Sequence, residues 1–136
     1  MKIAIGCDHG GINLKPAVIE VLDAKNMEYV DFGTYSDASV DYPEYGLKVA
    51  EAVASGDCDA GILLCGTGIG ISISANKVKG IRAANCTNVF MATATKQHNN
   101  ANILAMGGRV VSYELAKEIV AAWLDTEYEG GRHQNR

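Results

Sequence analysis

The chain has 136 residues, 48% of them hydrophobic and 21% charged, which suits one domain with a substantial buried core and excludes disorder as its main state. A net charge of −4 argues against nonspecific nucleic-acid binding, and no apolar run approaches the ~20 residues of a membrane-spanning helix. The four cysteines, Cys7, Cys58, Cys65 and Cys86, form no Cys-x-x-Cys pair and no zinc-type spacing, so free thiols in a reducing, cytoplasmic compartment are expected.

Apolar runs alternate with helical patterns along the whole chain. Residues 1–7 read as a strand rather than a secretory leader, closed by Gly6, Gly10 and Gly11. Ile12, Leu14, Val18, Ile19 and Leu22 then share one helical face, with Pro16 tolerated in an early turn. A strand over Tyr29–Phe32 precedes a polar loop, Gly33–Pro43, and a helix marked by Leu47, Val49, Ala50 and Val53. Ala60–Cys65 is apolar on both faces, as in the middle of a parallel sheet, and Gly66–Gly70 is a tight loop opening a helix to about Asn76. Strands over Ile81–Asn85 and Ile103–Met106 flank a helix over Val89–Lys96, and a last helix runs from Tyr113 to Leu124 around Trp123.

Five strands interleaved with helices predict a single α/β domain over residues 1–136, a doubly wound, Rossmann-like α-β-α sandwich on a five-stranded parallel sheet. Residues 125–136 form a C-terminal tail with too few apolar residues to fold back alone. Right-handed crossovers place every strand's C-terminal end on one edge, where such sheets bind ligands. The loops at that edge are Cys7–Gly11, Gly33–Pro43, Cys65–Gly70, Asn85–Asn88 and Gly107–Arg109. Periodicity does not give the strand order.

Gly66, Gly68 and Gly70 lie between a buried strand and a helix, so the backbone N–H groups of Gly66, Thr67, Gly68, Ile69 and Gly70 can surround an anion. The spacing is neither a dinucleotide fingerprint nor a P-loop, and a bare packing turn is the competing reading. Cys65 directly precedes these amides. A thiol there is either core filler or, facing a helix N-terminus, a stabilised thiolate able to attack a carbonyl or remove a proton beside one. Asp8 and His9 share the first loop and suit hydroxyl or phosphate binding; Asp41-Tyr42-Pro43 lines the pocket or is a turn before a helix that starts at Glu44. His98 is either an exposed helix-end residue or an acid–base group working near neutral pH. Arg109, Arg132 and Arg136 are phosphate-binding candidates, or, for the tail pair, solvated terminal charges.

Taken together, Gly6-Cys-Asp-His9, Asp41-Tyr-Pro43, Cys65-Gly-Thr-Gly-Ile-Gly-Ile71, Asn76-Lys77, Gly80-Ile-Arg82, Gln97-His-Asn-Asn100, Gly108-Arg109 and Tyr128-Glu-Gly-Gly-Arg-His133 resemble the type B ribose-5-phosphate isomerases of the ribose/galactose isomerase family, over essentially the whole chain. The resemblance implies interconversion of ribose 5-phosphate and ribulose 5-phosphate through an enediolate, in the pentose phosphate pathway, with no metal, nucleotide or other cofactor. It implies Cys65 as the base between C2 and C1, His98 as the ring-opening acid, and Thr67 with the amides of Gly66 to Gly70 as the enediolate-oxygen site. Asp8, His9, Tyr42, Asn99, Arg109, Arg132 and Arg136 fall on substrate-binding positions. Relatives with a glutamate base slightly downstream lack the cysteine; here Ile73, Ser74 and Ala75 offer no carboxylate. The partners implied are a small phosphorylated sugar and a second copy of the chain, in a homodimer or dimer of dimers with shared active sites, and neither nucleic acid nor membrane. Galactose-6-phosphate or allose-6-phosphate isomerisation on the same scaffold is an alternative, as is a noncatalytic phosphate-binding module.

Overall fold

The computed structural model describes all 136 residues. Five strands, β1 (Lys2–Cys7), β2 (Glu28–Asp31), β3 (Ala60–Cys65), β4 (Ala83–Asn85) and β5 (Ile103–Gly107), form one parallel sheet in the order β2-β1-β3-β5-β4. Pleating divides the core in two. Ile3, Ile5, Ile62 and Leu64 face α1 (Lys15–Ala24), α4 (Val89–Asn99) and α5 (Tyr113–Asp125), where Trp123 is fully buried. Ala4, Leu63 and Cys65 face α2 (Tyr42–Ala54) and α3 (Ile69–Asn76), against Val49, Val53 and Ile71. The doubly wound sandwich expected from the alternating pattern is therefore present. No helix is long and apolar enough to cross a membrane.

The differences from the sequence pattern have local causes. Ile12–Leu14 is a 3-10 turn, and α1 begins only at Lys15, with Pro16 in its first turn. Tyr42 is not a loop residue: Pro43 fits a first turn, and α2 starts at Tyr42. Arg82 lies outside β4, because its N–H donates to the Asn102 side chain, which also donates to the Gly80 carbonyl. Helix α4 runs past Lys96 through His98 to Asn99, where Asn100, in the left-handed region at φ 51°, caps it by donating to Thr95 O.

The expectation that the tail would not fold back on its own chain is corrected. It ends in a short helix, α6 (Arg132–Asn135), and docks on the end of α4 through polar contacts that an apolar count does not register. Glu129 N–H donates to Gln97 O at 3.1 Å, and the His98 and His133 rings stack with centroids 4.4 Å apart.

The edge that carries the glycine loop is assembled by close backbone contact. A Cβ on Gly11 would lie 2.4 Å from the Leu64 carbonyl carbon and 2.6 Å from Cys65 N. Gly11→Ala is therefore expected to destabilise the fold by about 1–3 kcal/mol, the cost of overpacking a filled site. Urea denaturation checks this, and an unchanged midpoint would show that the loop can move away.

Candidate active site

Strands β1, β3 and β5 are in register at their C-terminal ends, pairing Cys7 with Leu64 and Cys65 with Gly107, so the loops that follow them meet. In the first loop, Asp8 is buried and its Oδ1 accepts from Gly10 N–H at 2.8 Å and Gly11 N–H at 3.1 Å. His9 Nδ1 accepts from Val40 N–H at 3.1 Å, which ties this loop to the one before α2. The Tyr42 ring packs where a Gly70 side chain would stand, and the Arg109 guanidinium lies over Gly66. Asp8, His9, Tyr42, Arg109 and residues 65–70 thus share one edge.

Cys65 ends β3 and is 4% exposed. Its sulfur accepts the Gly68 N–H at 3.1 Å. Gly68 stands at φ 82° just before α3, and this left-handed turn points its amide back at the thiol. The N–H groups of Gly66, Thr67, Gly70 and Ile71 have no acceptor within the chain, as first-turn geometry leaves them. Thr67 Oγ1 accepts from Ile69 N–H at 3.1 Å and keeps its own hydrogen free to donate. The sulfur and these unused donors therefore lie within one short stretch, residues 65–71, at the end of β3.

The other cysteines differ in kind. Cys7 and Cys86 donate their thiol hydrogens to the carbonyls of Thr34 and Ala84. Burial pushes both thiols up to about 11, and pushes Cys58 up as well. They are small core residues.

Sequence reasoning passed over Asn85. Its Nδ2 donates to Thr67 O at 3.2 Å, while its buried Oδ1 has no partner and stands where a Gly68 side chain would be. A polar residue ending a strand at the ligand edge was the available signal. Asn13 was also missed; its Nδ2 reaches Gly108 O at 2.9 Å and braces the Arg109 turn.

His98 is not beside Cys65 in the same chain. Helix α4 starts at Val89, capped by Asn88 just past the C-terminal end of β4, and runs back about 16 Å along the sheet. His98 and Asn99 therefore lie at the opposite edge, where Asn99 O accepts from the Arg82 guanidinium at 2.5 Å. There the docked tail and Arg82 line a polar cleft of about 390 Å³ that includes Asn100, Tyr128, His133 and Arg136. Arg132 is exposed nearby on α6. The largest groove, about 640 Å³ beside Lys2, Phe32 and Cys58, contains none of the candidate residues.

Residues 3–136 match the family model described as ribose/galactose isomerase. The chain belongs to that family. It is 55% identical over 135 residues to ribose-5-phosphate isomerase B of Escherichia coli, covering 99% of this chain and 91% of that one. Its fold matches the structure of Clostridium thermocellum ribose-5-phosphate isomerase B with a TM-score of 0.98 at 60% identity, covering 100% of this chain and 92% of the other. A Mycoplasma genitalium ribose-5-phosphate isomerase B, solved with bound ribulose-5-phosphate, matches at 0.93 and 43% identity, over 99% and 90%.

The contrast among the thiols predicts selective chemistry. Iodoacetamide is expected to alkylate Cys65 at least about tenfold faster than Cys7, Cys58 or Cys86, because thiolate access governs the reaction. Peptide mapping at short times checks this; uniform labelling would contradict it.

Proposed function

We propose that the chain interconverts D-ribose 5-phosphate and D-ribulose 5-phosphate through an enediolate, as an isomerase of the pentose phosphate pathway, with each site shared between two copies of the chain. The observation that carries the reading is the Cys65 sulfur set beside unused backbone amides in a member of the ribose/galactose isomerase family.

The chemistry follows from what these groups can do. The furanose opens when O1 loses its proton and the ring oxygen O4 gains one, leaving an aldehyde at C1. Cys65 as thiolate then takes the proton from C2, and the C2–H electron pair forms the C1–C2 double bond of the enediolate. Negative charge gathers on O1 and is met by the amides around Gly66–Ile71 and the Thr67 hydroxyl. Return of the proton to C1, with transfer of the O2 proton to O1, yields the ketone at C2. No electron leaves the sugar, so no redox nucleotide is needed, and the amides with the Thr67 hydroxyl supply the contact to the developing oxyanion.

The ring-opening acid must come from elsewhere, since His98 lies at the far edge of its own chain. A second copy solves this. Its His98 and Asn99, with Arg132 and Arg136 as phosphate ligands, would complete the pocket formed by Asp8, His9, Tyr42, Cys65 and Arg109. Ile69, Ile73, Val89, Phe90 and Met91 support that arrangement: all are exposed on α3 and α4, with Phe90 at 79%, an apolar surface suited to a copy of the chain. The four unpaired cysteines suit a cytoplasmic enzyme.

Purified protein incubated with ribose 5-phosphate is expected to form ribulose 5-phosphate, faster than it converts galactose 6-phosphate or allose 6-phosphate. Binding without turnover would instead support a phosphate-binding module. Cys65→Ala should lower kcat by about 10²-fold or more while substrate still binds. The two roles separate in D₂O. Ribulose 5-phosphate is open-chain, so its exchange of a C1 hydrogen with solvent needs Cys65 but no ring opening. His98→Asn should slow net conversion of ribose 5-phosphate far more than this exchange, whereas Cys65→Ala should abolish both. Equal losses in His98→Asn would contradict the ring-opening role.

A further inference from the structure

At the docked tail, two histidines and a carboxylate converge on one point. Glu129 Oε1 is 3.8 Å from His98 Nε2 and 3.6 Å from His133 Nε2, and all three atoms lie within 4.8 Å of one another. The residues come from two segments, the last turn of α4 and the stretch ending in α6. These are held together by the Glu129 N–H bond to Gln97 O, while Tyr128 Oη meets Gln134 Oε1 at 3.1 Å. A tetrahedral ion holding imidazole nitrogen and carboxylate oxygen at ~2.1 Å separates neighbouring ligand atoms by roughly 3.4 Å. The two nitrogen–oxygen distances are within a few tenths of an ångström of that spacing. The His98 and His133 rings are stacked at an interplanar angle of 17°, so His98 must swing off the stack for both nitrogens to meet one ion; the His98 and Glu129 side chains are about half exposed, at 47% and 51%, which leaves room for that movement. A single ion pair would account for one histidine on this carboxylate; both Nε2 atoms turn toward the same oxygen.

We propose that His98, Glu129 and His133 bind a divalent transition-metal ion of the zinc class, with the fourth position open to water, and that the bound ion inhibits the isomerase. Two imidazoles, one carboxylate and an open position are a ligand set zinc accepts. The inhibition has a direct cause: a metal on His98 Nε2 occupies the lone pair that must carry a proton in ring opening. The binding stands on the cluster's geometry alone, and the inhibition rests on the ring-opening role of His98. The metal is an inhibitor here, so its removal leaves the enzyme fully active.

Zinc ion titrated into metal-free protein, in competition with a fluorescent chelator and without phosphate in the buffer, reads the binding directly. One ion per chain is expected at micromolar affinity, in the native protein and equally in Cys65→Ser, which removes the other metal-seeking side chain. Glu129→Gln and His133→Ala should each weaken binding by about tenfold or more. His133→Gln keeps a planar polar side chain on His98 and should weaken it to the same degree, so loss of the docked tail is not the cause. Zinc should inhibit native turnover reversibly, with full recovery in EDTA, while His133→Gln resists concentrations that halve the native rate. No binding well above micromolar zinc, binding indifferent to Glu129 and His133, or binding lost in Cys65→Ser would overturn the site. Zinc bound at this cluster without inhibition would overturn the inhibitory role, and the D₂O exchange test on His98→Asn then shows independently whether the ring-opening assignment stands.

Discussion

The site depends on backbone lying against backbone at the C-terminal ends of three adjacent strands. A side chain on Gly107 would meet Thr67 backbone at 2.6 Å, one on Gly11 would meet Leu64 at 2.4 Å, and one on Gly68 would meet the Asn85 amide at 2.3 Å and Met106 backbone at 2.8 Å. Glycine at these points lets the loops after β1, β3 and β5 share one small volume. Within it the turn at Gly68 directs an amide onto the Cys65 sulfur, and the neighbouring amides are left without an acceptor in the chain. Pre-set donors of this kind stabilise developing oxyanion charge without reorganising during the reaction. A partly buried ion pair extends the rigidity to the next loop: Lys15 Nζ sits 2.9 Å from Asp31 Oδ2 and also donates to Thr34 O.

The same topology that builds this half-site removes the other half. A helix that follows a parallel strand must run back to the strand's beginning, so a residue at the end of α4 is carried away from the ligand edge. His98 and the tail that docks on it therefore form a second, polar centre at the far side of the sheet. The proposed reaction would join the two centres across two chains, and apolar residues are exposed on α3 and α4. On the function proposed here, Cys65 would supply the base on one chain, and His98, Arg132 and Arg136 would serve the site of the other.

Much of this was legible in the residues. Ala60–Cys65 matched β3 to the residue, since a fully apolar run bounded by Asp59 and Gly66 admits little else. The convergence of Asp8, His9, Cys65–Gly70 and Arg109 followed from parallel strands alone. What periodicity does not record is neighbourhood. It did not show that β5 inserts between β3 and β4, nor that β4 is a three-residue edge strand whose entry is held by the Asn102 side chain. Hydrophobic pattern was equally silent on the tail, which docks by one backbone hydrogen bond and a stacked pair of imidazoles. The pattern left His98 as a helix-end residue but stopped the helix at Lys96, three residues short of Asn99, because the cap is the left-handed conformation of Asn100 rather than a glycine or proline.

The central claim is that base and ring-opening groups act across a subunit boundary, and subunit mixing tests it most directly. Two impaired proteins are prepared: Cys65→Ala with the tail intact, and a chain lacking residues 132–136 with Cys65 intact. After exchange of subunits, a hybrid dimer contains one site with Cys65 from one chain and Arg132 and Arg136 from the other. The account predicts that turnover of ribose 5-phosphate, at substrate too dilute to saturate the truncated chain, rises on mixing above the sum of the two proteins measured separately. No recovery, with hybrid dimers demonstrated by mass spectrometry, would contradict it and assign each tail to the site of its own chain.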